Sequence, residues 1–357
     1  MSREPIHDLA ATADGLMPAL VYEAPRVMSM REIAVPALAR DDVLIEVAYS
    51  GICGSELSGF LGHSSIRQPP LVFGHEVSGR VVALGRQAAD GPVAVGDVVT
   101  ANPLVTCGTC DYCVAGRQQL CPRRLLLGAS LPGANARYVR VPLSAVVALP
   151  AGMDLATGAM VEPVAFALRA VEVSGADAAS SALVVGAGAI GLLVLQVLAA
   201  SGVATRYVVE RHPQRLARAV ELGNIALTPG EDGLAPLVRE VTGGGVDVAF
   251  DAVGVEQTRR DCLLALAPGG TMVLAGLHSD ETSLSLNTAI RSELTIAGAF
   301  AYSPRHFRTG LDWLAAGRVG LSAGVVEASL SDGQTWYERL VEGDPAAKVL
   351  LRPEPVG

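Results

Sequence analysis

Two hydrophobic patterns divide the chain near Pro163. Before it, apolar residues fall in short runs broken by glycine and proline, at residues 43–49, 77–84, 97–102 and 137–141. Such runs, rich in β-branched residues and bounded by turn formers, predict strands. Residues 17–165 therefore read as an irregular all-β body with a first strand at 19–22, preceded by a polar extension over 1–16. After Pro163 strand-like and helix-like segments alternate: strand 182–185, helix 189–200, strand 207–210, helix 213–222 opened by Pro213, strand 246–252, and helix 256–266 stopped by Pro268-Gly269-Gly270. Strands at 271–277 and 294–300 follow. This alternation predicts an α/β, doubly wound parallel sheet over residues 166–302. The tail, 303–357, reads helix 304–317, helix 334–340 and strand 348–351, and is expected to return to the first domain.

Composition narrows the function classes. The 357 residues are 50% apolar and 18% charged, enough for two packed cores. A net charge of −9 argues against a nucleic-acid groove, which needs clustered cations. The single lysine is Lys348; the other cations are arginines. The first residues lack the charged start and apolar core of a secretory signal. No apolar run of about 18 residues is free of turn formers, so no membrane partner is expected; residues 182–200 come nearest and contain Gly186, Gly188 and Gly191. A cytoplasmic location is the expectation, and there six cysteines favour metal ligation over disulfides.

Four of them are spaced Cys107-x2-Cys110-x2-Cys113-x7-Cys121. Four thiolates so placed wrap one Zn²⁺ tetrahedrally and leave no open position, which is the chemistry of a structural site. Two disulfides and an iron–sulfur cluster are the alternatives. Seven residues between Cys113 and Cys121, where the bacterial ferredoxin run has about three, speak against the cluster.

A glycine-rich turn, Gly186-Ala187-Gly188-Ala189-Ile190-Gly191, joins the 182–185 strand to the 189–200 helix. In that context Gly186 makes the tight turn, Gly188 lets the backbone approach a pyrophosphate, and Gly191 lets helix and strand pack. The helix N-terminus holds phosphate charge. Glu210, 24 residues after Gly186, stands where a carboxylate bonds ribose hydroxyls and repels a 2′-phosphate. NAD is therefore expected; Arg211 and Arg215 keep NADP open. The alternative is a turn that only packs a helix on a sheet.

A second metal set is Cys53 in Gly51-Ile52-Cys53-Gly54-Ser55, His75-Glu76 after Gly74, and Glu162 further on. A thiolate, an imidazole and a carboxylate make a catalytic zinc shell with one open position. Taken alone, this set would read as a buried free cysteine and a surface His–Glu pair; beside a nucleotide fold and a zinc loop, the metal reading prevails.

The residues GICGSEL (51–57), FGHEVSG (73–79), the cysteine loop (107–121), VEPVAFAL (161–168), VVGAGAIG (184–191), VVE (208–210) and AKVLL (347–351) together resemble the zinc-dependent medium-chain dehydrogenase/reductase family. Glu162 before Pro163 resembles its polyol and threonine dehydrogenase branch; the ethanol-oxidising branch has cysteine there. The resemblance implies a GroES-like catalytic domain, a Rossmann domain and two zincs per chain. The catalytic zinc would be held by Cys53, His75 and a glutamate, with Glu76 and Glu162 both candidates. Ser55 would relay the substrate proton, Glu76 would belong to the catalytic set, and Glu56 would orient the shell from behind. Ile190, Gly276, Leu277 and Phe300 would join the cofactor contacts. The implied reaction moves hydride between a secondary alcohol and NAD(P), giving a ketone. A zinc-independent NADPH-dependent reductase of activated double bonds and a non-catalytic cofactor-binding protein of the same fold are the alternatives.

Three positions depart from the family pattern: Ser58 and Gly59 stand where relatives often carry His and Tyr, and Ala301 where they often carry Arg. These small residues predict a roomier or less polar pocket, suited to a cyclic or amino-substituted alcohol. His63 reads as a loop residue. The strand at 294–300 is expected at a sheet edge, where a homodimer or homotetramer would form.

Overall fold

The computed structural model describes residues 15–321 and 323–353. The expected polar extension lies, up to residue 14, outside the described residues. Two compact units emerge, Met1–Glu162 with Val325–Gly357, and Pro163–Gly324.

The first unit is built on a seven-stranded sheet. Its order is Val146–Ala148, Val98–Ala101, Glu76–Leu84, Asp42–Gly51, Lys348–Arg352, Val325–Ser329, with Tyr138–Pro142 also paired to Asp42–Gly51. Asp42–Gly51 alternates between two apolar environments. Val43, Ile45 and Val47 enter one core with Val77, Val81 and Val139, while Leu44 enters another with Val21, Val72 and Tyr138. A strand buried on both faces has its register set by packing. That register pairs Gly51 with Glu76 and Leu350 with Gly51. The ends of three strands therefore meet at one place, next to Cys53, His75 and Lys348. Gly51 is required there: a Cβ would stand 2.0 Å from Glu76 Oε2.

The second unit carries a six-stranded parallel sheet ordered Ile225–Ala226, Thr205–Val209, Ser181–Val185, Val246–Asp251, Leu266–Leu274, Thr295–Gly298. The order steps outward in both directions from Ser181–Val185, as in a dinucleotide fold. Its core includes Leu183, Val185, Val238, Ala249 and Met272.

The boundaries differ from the expected 303. Helix Pro304–Ala315 belongs to the second unit, which runs to Gly324. His306 Nε2 lies 3.0 Å from Glu172 Oε2, and Gly320 exchanges hydrogen bonds with the Gln196 amide at 2.9 and 3.0 Å. The return begins with Val325–Ser329, a strand absent from the sequence reading, paired in parallel with Lys348–Arg352. Helices Val161–Ser174, Leu234–Thr242 and Leu286–Arg291 are further additions.

Candidate active site

Cys53 caps the short helix Gly54–Phe60, with an extended backbone at φ −102 and ψ 149. His75 closes the turn into Glu76–Leu84. Ligand atoms of Cys53, His75 and Glu76 all lie within 4.8 Å of one another. His75 is buried, and its Nδ1 is 2.6 Å from Glu56 Oε1. The same Glu56 oxygen accepts the Gly74 N–H at 3.0 Å, and Oε2 accepts the Tyr337 hydroxyl at 2.7 Å. Tyr337 in turn accepts from the Asn135 amide at 3.1 Å. Burial alone would raise the Glu56 carboxyl, but His75 beside it brings it below its ordinary value. Burial alone would lower His75, and the charges of Glu56 and Cys53 carry it well above the ordinary imidazole value. With Nδ1 engaged, Nε2 is the nitrogen left to a metal. Glu56 thus stands behind His75, in the place expected of it.

Glu76 is fully buried, and Lys348 Nζ donates to both its oxygens at 2.6 and 2.7 Å and to the Ile52 carbonyl at 3.2 Å. Burial pulls the ammonium down, but Glu76, Cys53 and Glu162 hold it above its ordinary value. Glu162 lies in the first turn of Val161–Ser174, close enough for its charge to reach Lys348, but outside the three-donor group.

Ser55 Oγ donates to Cys53 Sγ at 3.5 Å and accepts from Arg67 Nη2 at 3.1 Å. Arg67 is 5% exposed, and its Nε donates to the Gly128 carbonyl at 3.1 Å. The room expected beside Gly59 is occupied: a Cβ there would stand 2.6 Å from Arg67 Cδ. Beside Gly59, then, the structure places an arginine side chain. His63 is exposed, as read.

The four-cysteine loop also closes. Cys107, Cys110, Cys113 and Cys121 have sulfurs within 4.8 Å of one another, and none is disulfide-bonded. Cys121 and Cys113 sit 3.5 and 3.9 Å from Cys107. The Thr109 backbone draws the Cys107 thiol down to about 5. The Cys113 backbone draws Cys110 down, but burial and the neighbouring thiols push it up to about 11. Four monodentate sulfurs with one proton easily lost suit a divalent ion of tetrahedral preference.

In the second unit Gly186 has φ +97, and a Cβ on Gly191 would lie 1.8 Å from the Gly186 carbonyl oxygen, so helix and strand touch backbone to backbone. Gly188 caps the helix Ala189–Ala200 with open space in front of it, and Ile190 is half-buried in its first turn. Glu210 Oε2 accepts the Ala187 N–H at 2.9 Å, and Oε1 accepts the His212 N–H at 2.8 Å. Arg211 is exposed and Arg215 half-buried on the next helix, Pro213–Glu221. Gly276 lies against Gly254, where neither could carry a Cβ, and Leu277 and Phe300 are 65% and 44% exposed.

Sequence reasoning missed Arg67, Lys348, Tyr337 and Asp251. Lys348 carried one signal, its standing as the single lysine. Asp251 is buried at a strand end, where Oδ1 accepts the Val253 and Gly254 N–H groups at 3.1 and 2.9 Å.

Comparison with known proteins agrees. Residues 39–151 match the alcohol dehydrogenase GroES-like domain and residues 189–316 the zinc-binding dehydrogenase domain. D-Arabitol-phosphate dehydrogenase of Enterococcus avium is 31% identical over 337 residues, 92% of this chain and 94% of that protein. The crystal structure of 2R,3R-butanediol dehydrogenase from Bacillus subtilis superposes with a TM-score of 0.86 at 30% identity, covering 95% of this chain and all of that one (100%). A zinc-binding dehydrogenase from Sinorhizobium meliloti 1021, bound to NADP, gives 0.85 at 29% identity with the same coverage, 95% and 100%. Among the described residues no helix is long and apolar enough to cross a membrane. Matched in both of its units and along almost the whole of a relative, the chain belongs to the zinc-dependent medium-chain alcohol dehydrogenases, NAD(P)-dependent oxidoreductases of alcohols.

Proposed function

We propose that the chain oxidises a secondary alcohol to a ketone, and runs the reverse reduction, at the cluster around Cys53. The observation that carries this reading is the convergence of Cys53, His75 and Glu76 within 4.8 Å, with the Ser55 hydroxyl on the thiol at 3.5 Å. Cys53 Sγ, His75 Nε2 and a carboxylate would hold zinc, with Glu76 in reach and Glu162 the nearby second candidate. Bound zinc would supply a Lewis acid at the substrate oxygen, and the nicotinamide a hydride acceptor.

The protein's own work is positional. Glu56, fixed by Tyr337 and the Gly74 N–H, holds the His75 ring and its tautomer. Lys348 compensates the buried Glu76 charge. Ser55 accepts the substrate hydroxyl proton as its own proton leaves. Arg67 cannot take that proton, because a guanidinium only donates; it fixes the Ser55 rotamer, and the proton passes to water. Four thiolates of the cysteine loop would hold a second, structural zinc.

Metal analysis tests the reading: two zincs per chain are expected in the native protein and one in Cys53→Ala, with turnover lost and the fold kept. Turnover surviving in Cys53→Ala would refute it.

NAD is the favoured cofactor. Glu210, held in place by two backbone N–H groups, puts fixed negative charge where a 2′-phosphate would lie, although the Sinorhizobium protein binds NADP and Arg211 stands next to Glu210. A kcat/KM for NADP exceeding that for NAD would reverse the assignment. A second copy of the chain would pair along Thr295–Gly298, the end strand of the parallel sheet, beside which Leu286, Ile290, Ile296 and Phe300 are exposed. Light scattering would show at least a dimer, and Ile290→Asp would weaken it. Six free cysteines fit a reducing, cytoplasmic location.

A further inference from the structure

Arg67 presents more cation than the proton relay uses. Its side chain is buried to all but 5%. Nε is spent on the Gly128 carbonyl, and Nη2 on the Ser55 hydroxyl. Nη1 has no acceptor among the described residues, yet it is not one of the enclosed, unpartnered atoms, so solvent reaches it. Among the described residues the guanidinium has no carboxylate at ion-pair distance. The charge of Arg67 reaches Glu56, but that carboxylate is committed by hydrogen bonds to His75, Gly74 and Tyr337. Phe73, with its ring centroid 6.0 Å from the guanidinium carbon, covers it on another side.

A guanidinium buried without a paired anion is costly, and protein sites relieve that cost by hydrogen-bonding the charge to an opposite one. A further partner can come from solution, through Nη1 of the same guanidinium whose Nη2 holds the Ser55 hydroxyl. The seat is deliberate in shape as well: any side chain at position 59 would displace Arg67, since even a Cβ comes within 2.6 Å of its Cδ.

Resting on the reading of Ser55 and Cys53 as the reaction centre, we infer that Arg67 is an anion anchor in the substrate pocket, and that the preferred substrate is a secondary alcohol bearing a carboxylate or a phosphate close to the carbinol carbon. A charge-assisted bond from Nη1 to that group holds the carbinol beside Ser55, and the Nη2–Ser55 bond couples anchoring to the orientation of the hydroxyl. The requirement is for an anion on the substrate; the Arg67 donors accept either oxyanion, and the matched pairs below distinguish the two.

The test compares each neutral alcohol with an anionic counterpart on the zinc-loaded enzyme: 2,3-butanediol against 3-hydroxybutanoate, and D-arabitol against its 1- and 5-phosphates. At least one anionic member should exceed its neutral partner in kcat/KM by roughly 10- to 100-fold, mostly through KM. In Arg67→Met that ratio should fall towards one, whatever happens to the absolute rates. Arg67→Lys should keep part of it, having charge without the fork. Gly59→Ala, which leaves the arginine in the chain but displaces it, should also lower the ratio. Calorimetry supplies a readout independent of turnover: malonate and inorganic phosphate should bind the native holoenzyme, and bind Arg67→Met at least about tenfold more weakly. Neutral members outperforming every anionic one, or a ratio and an anion affinity unmoved in Arg67→Met, would overturn the anchor. Absence of turnover with every alcohol, while anions still bind through Arg67, would instead overturn the proposed reaction and leave the anchor standing.

Discussion

Lys348→Met removes the ammonium from a pair in which both partners are enclosed, with side chains 3% and 0% exposed. The two Nζ–oxygen contacts, at 2.6 and 2.7 Å, and the bond to the Ile52 carbonyl are lost together. Breaking a buried pair by deleting one member costs about 3–5 kcal/mol, because the other charge is left uncompensated, and the lost carbonyl bond adds about 1 kcal/mol. This cost should depend on zinc. A divalent ion held at Cys53, His75 and Glu76 brings positive charge to the same carboxylate and offsets part of what the lysine supplied. Urea unfolding of native protein, Lys348→Met, Glu76→Gln and the double variant, each with zinc and with a chelator, separates the terms. The loss in Lys348→Met should be larger under chelation, and the double variant should be more stable than the summed single losses allow. The cysteine-loop metal is stripped from all four proteins alike and cancels. Equal losses with and without zinc, together with additive single losses, would refute the argument that Lys348 and the metal serve one buried charge.

Gly191→Ala should abolish or weaken NAD(P) binding by at least about 100-fold, read by calorimetry, since a Cβ 1.8 Å from the Gly186 oxygen must push the phosphate turn open. Cys113→Ser should lower the zinc content from two to one and the melting temperature markedly, since structural zinc contributes directly to folding. Asp154 caps the helix Leu155–Ala159 by accepting the Thr157 N–H at 2.7 Å, and Asp154→Ala should cost about 1 kcal/mol at neutral pH. Burial raises that carboxyl, but Thr157 brings it below its ordinary value, so its contribution is complete above the unfolded value and fades as pH falls through the depressed one. The gap in urea midpoint between the two proteins should therefore narrow in acid.

The parallel sheet was legible because strand–helix alternation is a local pattern, and the glycine turn because Gly186 and Gly191 answer to local backbone demands, a positive φ and a close approach. The two metal-capable groups were legible through residue type and spacing. Helix Val161–Ser174 escaped notice because Pro163 sits in its first turn and its apolar residues run almost without interruption, so no period stands out. The later return to the first unit follows from long-range bonds such as Gln196 with Gly320, which leave no mark on either segment alone. Arg67 shows the same limit most sharply. Residue size at 59 suggested room, yet the space beside it holds a side chain from a loop, and filling a space is a property of the packed structure.

The strand carrying Lys348 follows the whole of the second unit in the chain, yet it pairs with Asp42–Gly51 at the reaction centre. During synthesis, Glu76 and the open side of Asp42–Gly51 must therefore wait until the second unit has been made and the last strand arrives. The dinucleotide unit, continuous in sequence, has no such delay. The catalytic lobe is completed last, so a chain interrupted late in translation would carry a folded cofactor lobe, a buried carboxylate without its cation and an unpaired strand. Such a product is prone to association through that edge and visible to quality control.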